Sequence, residues 1–440
     1  MLTRTAHARS QMTAFAIDGA RGSVRVTTRL VETPRVAAQR AYGEAAGFPV
    51  RGAWTQATSA WRNIFALPTN PANTSALVYA GKLMALCEGG APVELDPVSL
   101  ATRGVVTFPG QERKPSVLGF GAHFKIDPDT RILYDLGVQL PSALRIFALA
   151  PDGRELAATT ISFPAGEIAF VHDWAMSENH LVLFIPPWVC GPAETLASVA
   201  GLRALGHAFA WVPGRGTRCV VLRKRDLAVV HDSEVDAFST YHFANAWEEG
   251  DTLHVHVNRL IGHRTALEAN FSNMYAAEWR REHYNELVEF RIDLAAPGGR
   301  VLGAQPALPP ASGALPMEFP IVNSSYAGKR NRFVYTAAFT GGGAGYFDAL
   351  QKYDLQSGRV STRRCAPGEF PSEVAFVPRG AGGAEDDGWL LYVLYVAATH
   401  TSNLVVLDAA DIEAPPLAVC RLPTHMPYTF HGWFEPAADA

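Results

Sequence analysis

Short apolar runs bounded by glycine, proline, aspartate or asparagine recur along the whole chain. Runs of about four to eight apolar or β-branched residues that end at such turn residues are typical of β-strands. Ten segments carry this pattern most clearly: Val24–Val31, Ala76–Leu86, Ile132–Leu136, Ile168–His172, Leu181–Phe184, Cys219–Leu222, Thr252–Val257, Phe333–Ala337, Gly388–Val396 and Leu404–Leu407.

A second pattern is an apolar run that ends on aspartate and is followed by a turn. It occurs in the strings AIDG at 16–19, ELDP at 94–97, KIDP at 125–128, RIDL at 291–294, KYDL at 352–355 and VLDA at 406–409. Aspartate is favoured in turns because its carboxylate accepts hydrogen bonds from the nearby backbone. The strings therefore predict successive β-meander units, and they favour one large all-β domain over 1–440, a β-propeller more than a sandwich.

Helical periodicity is weak by comparison. The two best candidates for a helix are Glu194–His207 and Arg264–Glu278. The proline-rich stretch Pro306–Pro316 is predicted to be an exposed connection.

The amino-acid composition argues against several classes of protein. Of the 440 residues, 48% are hydrophobic and 18% charged, so the chain can bury a large core. The net charge of −4 argues against nucleic-acid binding, which usually requires a basic excess. Five scattered cysteines without a CxxC pair fit the reducing cytoplasm better than a disulfide framework. No run approaches the ~18 apolar residues of a membrane-spanning helix.

Common catalytic signatures are missing from the sequence. It contains no GxSxG elbow, no Walker loop, no HExxH and no dinucleotide-binding glycine fingerprint. The 14 histidines are the remaining candidates for chemistry. His254 and His256 share one face of a predicted strand and could bind a metal, but two histidines on a polar strand face need none.

Four other histidines stand in distinctive strings, each near a predicted strand end. The strings are GAHFKIDPDT with His123, HDWAMSENH with His172, HFANAWEEGD with His242 and FHGWF with His431. Spacing alone does not join them into one site. However, they resemble the motifs AH-x-K-x-DP, HD-[FW]-A-x-[ST]-E-N, H-x-x-N-A-[YW]-E-E-G-D and HG of the carotenoid cleavage oxygenases, in the same order.

This resemblance implies a fold and a metal centre. The family, which includes lignostilbene dioxygenases and the retinoid isomerase, has a seven-bladed β-propeller with short helices and loops that cap the active-site face. Family members bind one non-haem Fe(II) per chain with four histidines, here His123, His172, His242 and His431. Three glutamates lie behind the histidines, and the resemblance implies Glu88 behind His172, Glu318 behind His242 and Glu373 behind His431.

The resemblance also implies an activity. The expected reaction is cleavage of a C=C bond by O₂ to aldehyde or ketone products, without a nicotinamide or flavin cofactor. Stilbene-cleaving members typically carry lysine at the position of Cys87, so an apolar carotenoid or apocarotenoid is the preferred substrate. Alternatives are a stilbenoid or other phenylpropanoid, an isomerase with the same iron, and a catalytically silent propeller that binds an apolar ligand.

Two regions depart from the common family pattern or extend it. The chain begins near QMTAFAIDG, after the point where relatives carry RNGPNP-like and HWFDGDGM-like strings, so the first blade is expected to be incomplete. The apolar segment 184–213 is a candidate for peripheral contact of a cytoplasmic protein with a membrane surface, and its alternative is an ordinary buried helix and loop.

Overall fold

The computed structural model of the protein describes most of the chain. The described residues are 11–42, 50–52, 56–64, 66, 69–88, 90–109, 117–139, 142–212, 214–261, 284–342, 345–380, 382–427 and 429–436. The helix candidate Arg264–Glu278 lies outside them.

β-strands dominate the described residues. The first strands are β1 Gln11–Asp18, β2 Ser23–Leu30, β3 Ser75–Tyr79, β4 Lys82–Leu86, β5 Val93–Leu95, β6 Thr102–Val105, β7 Val117–Leu118, β8 Lys125–Ile126, β9 Leu133–Gln139, β10 Ala143–Leu149, β11 Glu155–Ser162 and β12 Ile168–Ala169. They are followed by β13 Ala175–Met176, β14 His180–Ile185, β15 Trp188–Cys190, β16 Phe209–Trp211, β17 Thr217–Arg223, β18 Val229–Val235, β19 Ser239–Glu249, β20 Thr252–Ile261, β21 Tyr284–Asp293 and β22 Arg300–Pro306. The last are β23 Met317–Ile321, β24 Phe333–Ala338, β25 Ala349–Asp354, β26 Arg359–Arg364, β27 Glu369–Pro378, β28 Gly388–Val396, β29 Thr401–Asp408 and β30 Ala418–Arg421.

Within the described residues, two short α-helices accompany these strands, α1 at Pro34–Tyr42 and α2 at Pro192–Val199. Single 3-10 turns occur at Ala60–Arg62, Leu205–His207 and Ser324–Tyr326. None of the helices in the described part of the chain has the length and apolar character needed to span a membrane.

The strands form antiparallel sheets within two compact units. One unit comprises residues 1–126, 130–172 and 188–212, and the other comprises 127–129, 173–187 and 213–440. The first unit holds the hairpin β1-β2, the sheet β3-β4-β5-β6, the sheet β11-β10-β9-β7 with β8 on β9, and the sheet β12-β15-β16. The second unit holds four four-stranded sheets, β13-β14-β17-β18, β19-β20-β21-β22, β23-β24-β25-β26 and β27-β28-β29-β30.

The second unit shows how the meander pattern builds a site. Each of its last three sheets uses four strands that follow one another along the chain. The first strands of its successive sheets are neighbours, because β13 contacts β19, β19 contacts β23 and β23 contacts β27. Side chains from β19, β23 and β27 are thereby brought close together.

The aspartate strings mark turns as predicted. β1, β21, β25 and β29 end on their aspartates, and Asp96 and Asp127 directly follow β5 and β8. All six carboxylates accept a hydrogen bond from a backbone N–H two or three residues further on, at 2.9–3.1 Å. These bonds satisfy turn amides that have no partner in the sheet.

Several predicted boundaries shift in the structure. Gly388–Val396 is β28 in full, but Ala76–Leu86 is a hairpin whose tip, Ala80 and Gly81, has φ angles of 49° and 73°. The run Ile168–His172 leaves its sheet after Ala169, so His172 lies beyond the strand.

The helix predicted at Glu194–His207 is shorter in the structure. Helix α2 ends at Val199, and Leu205–His207 forms a separate 3-10 turn. Gly201 lies between them with a φ of 83°, a conformation that interrupts helical hydrogen bonding. Of the predicted connection Pro306–Pro316, Pro306 is the last residue of β22 and 307–316 joins β22 to β23, exposed or half-buried except for the buried Leu308.

Aromatic residues contribute strongly to the core of the second unit. Phe184 packs against Phe238, Phe243 and Phe290 with ring centroids 4.6–6.2 Å apart. A further cluster of buried residues lies between the last two sheets and includes Phe319, Tyr335 and Phe376. Burial of such rings stabilises the packed sheets of this unit.

Candidate metal centre

Two of the predicted histidines are paired in the first unit. His123 and His172 place their Nε2 atoms 3.0 Å apart, with ring centroids at 4.5 Å. Nδ1 of His172 lies against the carboxylate of Glu88, which follows β4. Burial alone would raise the pKa of Glu88, but the charge and hydrogen bond of His172 outweigh burial, and this pKa is lowered.

The other two histidines are paired in the second unit. His242 and His431 place their Nε2 atoms 3.2 Å apart, with ring centroids at 4.9 Å. Nδ1 of His242 is 2.6 Å from Glu318, and Nδ1 of His431 is 2.8 Å from Glu373. All four side chains are nearly buried, with exposed fractions of 9–11%.

β-Bulges present three of these residues. On β19, Thr240 pairs with Arg259 but Phe243 pairs with Val257, so one extra residue lies in the segment that contains His242. The same three-against-two register occurs between Glu318 and Ile321 on β23 and between Pro371 and Val374 on β27. A bulge re-aims the side chains of its strand. Because of the bulges, the side chains of His242, Glu318 and Glu373 need not follow the regular alternation of side chains between the two faces of a strand.

The four histidines together form a group of potential metal ligands. Two of them belong to each unit, and the four are the one such group among the described residues. Where a glutamate accepts the Nδ1 proton, the lone pair is on Nε2. His242 and His431 both have such a glutamate, and two lone pairs that face each other at 3.2 Å repel unless a cation lies between them.

The donor distances fit a transition metal. Two imidazole nitrogens bound at about 2.1 Å and at right angles to each other would be about 3.0 Å apart. This matches the 3.0 and 3.2 Å within the two pairs. Imidazole ligands suit iron, zinc, copper and nickel, and histidine ligands whose other nitrogen faces a carboxylate are common in metal sites.

Other motif residues brace these segments. The carboxylate of Glu248, in the His242 motif, accepts hydrogen bonds from Ser177 Oγ at 2.5 Å and from the backbone and side-chain amides of Asn179 at 2.9 Å. Nδ1 of His180 also lies 3.0 Å from it. Ser177, Asn179 and His180 of the His172 motif thus all contact the carboxylate of Glu248, which belongs to the His242 motif.

We expect Glu248 to make stability depend on acid pH. Burial would raise its pKa, but the hydrogen bonds from His180, Ser177 and Asn179 outweigh burial and lower the pKa from 4.5 to about 2. Because the folded-state pKa is the lower one, this stabilisation is complete above about pH 4.5 and is lost as pH falls towards 2. The contribution is on the order of 3 kcal/mol.

The measurement is urea unfolding between pH 2 and pH 6. Below about pH 4.5, the free energy of unfolding of Glu248→Gln should fall less with decreasing pH than that of the wild type. Glu249→Gln, next along the strand and 47% exposed, should keep the wild-type pH dependence. The same pH dependence in Glu248→Gln as in the wild type would show that this carboxylate does not stabilise the fold.

His254 and His256 share a face, as predicted, and each contacts Glu289. Nδ1 of His254 is 3.0 Å from this carboxylate, and Nε2 of His256 is 3.7 Å from it. Trp247 stacks on His254 with ring centroids 4.9 Å apart. Within the described residues, these histidines belong to no group of three or more potential metal ligands.

Comparison with known proteins agrees with this geometry. The family model described as "Retinal pigment epithelial membrane protein" matches residues 7–436. The chain is 33% identical over 441 residues to apocarotenoid-15,15'-oxygenase of a Synechocystis species, covering 96% of this chain and 84% of that protein. The chain belongs to the carotenoid cleavage oxygenase family.

Two further relatives extend the comparison. Isoeugenol monooxygenase of Pseudomonas nitroreducens is 27% identical over 438 residues, with 94% of this chain and 84% of that protein covered. The crystal structure of cobalt-substituted Synechocystis ACO matches with a TM-score of 0.82 at 29% identity, covering 96% of this chain and 86% of that one. These matches confirm an all-β, seven-bladed propeller fold and an oxygenase.

Proposed function

We propose that the protein is an Fe(II)-dependent dioxygenase that cleaves one C=C bond of an apocarotenoid with O₂. The observation that carries this proposal is the group of His123, His172, His242 and His431, with a glutamate behind three of them. The likeness to an apocarotenoid oxygenase supports the reaction type.

The four histidines would hold the iron through one nitrogen each. When bound, Fe(II) supplies O₂ activation, and both oxygen atoms can then enter the two carbonyl products. Glu88, Glu318 and Glu373 fix the tautomers of their histidines and raise the basicity of these ligands. Their negative charges also offset the charge of a buried dication, which neutral imidazoles leave uncompensated.

The residue before Glu88 favours an apolar substrate. Cys87 is 5% exposed, and its Sγ is 3.6 Å from Glu88 Oε2. A buried thiol is a weak hydrogen-bond donor and carries no positive charge with which to hold a phenol oxygen. A conjugated hydrocarbon chain requires no such partner.

A phenylpropanoid is the second candidate substrate. It is supported by the likeness to isoeugenol monooxygenase, at 27% identity over 94% of this chain. Both candidates use the same metal centre, so product analysis distinguishes them.

The test begins with metal content. Protein purified without chelators and reconstituted with Fe(II) should contain about one iron per chain by elemental analysis. It should convert an apocarotenal to two shorter carbonyl products under O₂, and 4-hydroxystilbene should remain intact. Cleavage of the stilbene alone would transfer the proposal to phenylpropanoids. Folded protein that binds no iron would overturn it in favour of a catalytically silent propeller.

We also propose that an apolar surface patch contacts membranes. It consists of Trp61, Ile64, Leu196, Val199 and Leu202, whose exposed fractions are 42–82%. The segments are adjacent, since the amide of Gln56 donates to the carbonyl of Gly201 at 2.8 Å. A Cβ on Gly201 would also collide with the carbonyl of Asn63. Such clustered exposure is typical of interaction sites, including membrane surfaces.

Vesicle sedimentation tests the patch. The wild type should sediment with vesicles of phosphatidylcholine and phosphatidylglycerol. Leu202→Asp should bind about ten-fold more weakly, because burial of one leucine contributes about 1.5–3 kcal/mol. Val98→Asp is a matched control, since Val98 and Leu202 are both 73% exposed and Val98 is outside the patch. Equal binding by all three proteins, or no binding by the wild type, would refute membrane contact through this patch.

A further inference from the structure

Phe319 has an unusual backbone conformation beside a predicted ligand pair. It follows Glu318 in the bulge of β23 and has a φ of 57°. A side chain with a Cβ is disfavoured in this region, and the proline at position 320 further disfavours any conformation but an extended one. Such strain persists only where surrounding contacts impose it.

The backbone N–H of Phe319 makes one of these contacts. The Phe319 amide donates to Glu318 Oε2 at 3.1 Å, the same oxygen that lies 2.6 Å from His242 Nδ1. Glu318 Oε1 accepts a hydrogen bond from the side-chain amide of Asn285 at 2.8 Å. The strained peptide therefore helps to fix the carboxylate that orients His242.

Its side chain contacts both histidines of the pair. The Phe319 ring centroid is 5.3 Å from His242 and 5.3 Å from His431, and the histidine centroids are 4.9 Å apart. The three rings form a nearly equilateral triangle. The Phe319 ring is tilted by 49° to His242 and by 85° to His431, so it packs into the angle between them.

We propose that Phe319 is a positioning residue of the metal centre, which holds the ring planes of His242 and His431 so that both Nε2 atoms address one cation. This inference rests on the proposed function. A hydrogen bond at Nδ1 does not by itself fix the tilt of an imidazole ring about that bond. The phenyl ring of Phe319 limits this tilt. The ring of Phe347 packs against that of Phe319, with the centroids 5.8 Å apart.

The test uses cobalt binding to metal-free protein. Co(II) chloride is titrated in competition with a chelating dye, and the visible absorption bands of the Co(II) protein report ligand geometry. Phe319→Leu should bind Co(II) about ten-fold more weakly than the wild type, within the range known for residues that orient metal ligands. Its bands should also shift.

Phe376→Leu is the matched control. Phe376 and Phe319 belong to the same buried cluster, with exposed fractions of 8% and 7%, and Phe376 packs on Tyr335. Both variants lose a similar buried area, so their thermal unfolding should change alike. Phe376→Leu should keep the wild-type Co(II) affinity and spectrum.

The outcomes separate this inference from the proposed metal centre. If the wild type binds no Co(II) or Fe(II), the metal centre itself is refuted. If the wild type binds and folded Phe319→Leu keeps its affinity and spectrum, only the role of Phe319 is refuted. Phe319→Met, an unbranched replacement, takes the place of Phe319→Leu in both readouts if the leucine variant does not fold.

Discussion

His242→Ala should abolish iron binding and C=C cleavage while the protein stays folded. His242 lies in the bulge of β19, with Nδ1 against Glu318 and Nε2 3.2 Å from Nε2 of His431. Alanine supplies no ligand atom. It also removes the imidazole that lies 2.6 Å from Glu318 Oε2, and water drawn into the space would not restore a nitrogen donor.

The measurement is iron content after Fe(II) reconstitution, together with cleavage of an apocarotenal. We expect less than about a tenth of the wild-type iron, because loss of a ligand should exceed the 10–100-fold effect of losing its orienting partner. Far-UV circular dichroism and thermal unfolding verify the fold.

His254→Ala is the matched control. His254 also lies against a glutamate, at 3.0 Å, and is nearly buried, but it is outside the four-histidine group. It should retain iron and activity. Full iron occupancy in His242→Ala would remove His242 from the ligand set. Loss of iron in both variants would indicate a general effect of histidine removal on the fold.

The sequence was most informative where chemistry and local structure coincide. Each aspartate string needs only one carboxylate and the next few amides, and all six occur at strand ends as expected. The three glutamates were placed by motif resemblance, and each faces the expected histidine. Periodicity would not have selected them.

Other features depend on contacts that a single sequence does not display. The bulges that present His242, Glu318 and Glu373 are differences in register between paired strands, and register is set by the partner strand. The strain at Phe319 is also a tertiary effect, because nothing local favours a positive φ before proline. Trp61 and Ile64 extend the exposed patch from a segment far from 184–213 in the chain.

Lys224 is a fourth feature of this kind, because the sequence alone did not indicate its contacts with two of the histidine motifs. It lies just beyond β17 and is 9% exposed. Its ammonium pairs with the buried carboxylate of Asp127, in the His123 motif. It also donates to the carbonyls of Ser177 at 3.3 Å and Glu178 at 2.8 Å, in the His172 motif.

Lys224→Met should therefore be strongly destabilising. Methionine fills most of the volume of lysine but leaves the Asp127 charge buried without its ammonium. Removal of one partner from a buried ion pair typically costs about 3–5 kcal/mol. The free energy of unfolding in urea at pH 7 measures this loss.

Two further variants identify the cause of the loss. Lys329→Met breaks the exposed pair with Asp129, whose side chains are 42% and 67% exposed, and should cost less than about 1 kcal/mol. The double variant Asp127→Leu, Lys224→Met removes both charges and should recover part of the stability, because burying two apolar side chains avoids desolvation of an unpaired carboxylate. A loss below about 1 kcal/mol in Lys224→Met would contradict the assigned role. In that case, the contacts of Lys224 would not be needed to hold the HDWAMSENH and GAHFKIDPDT segments in place.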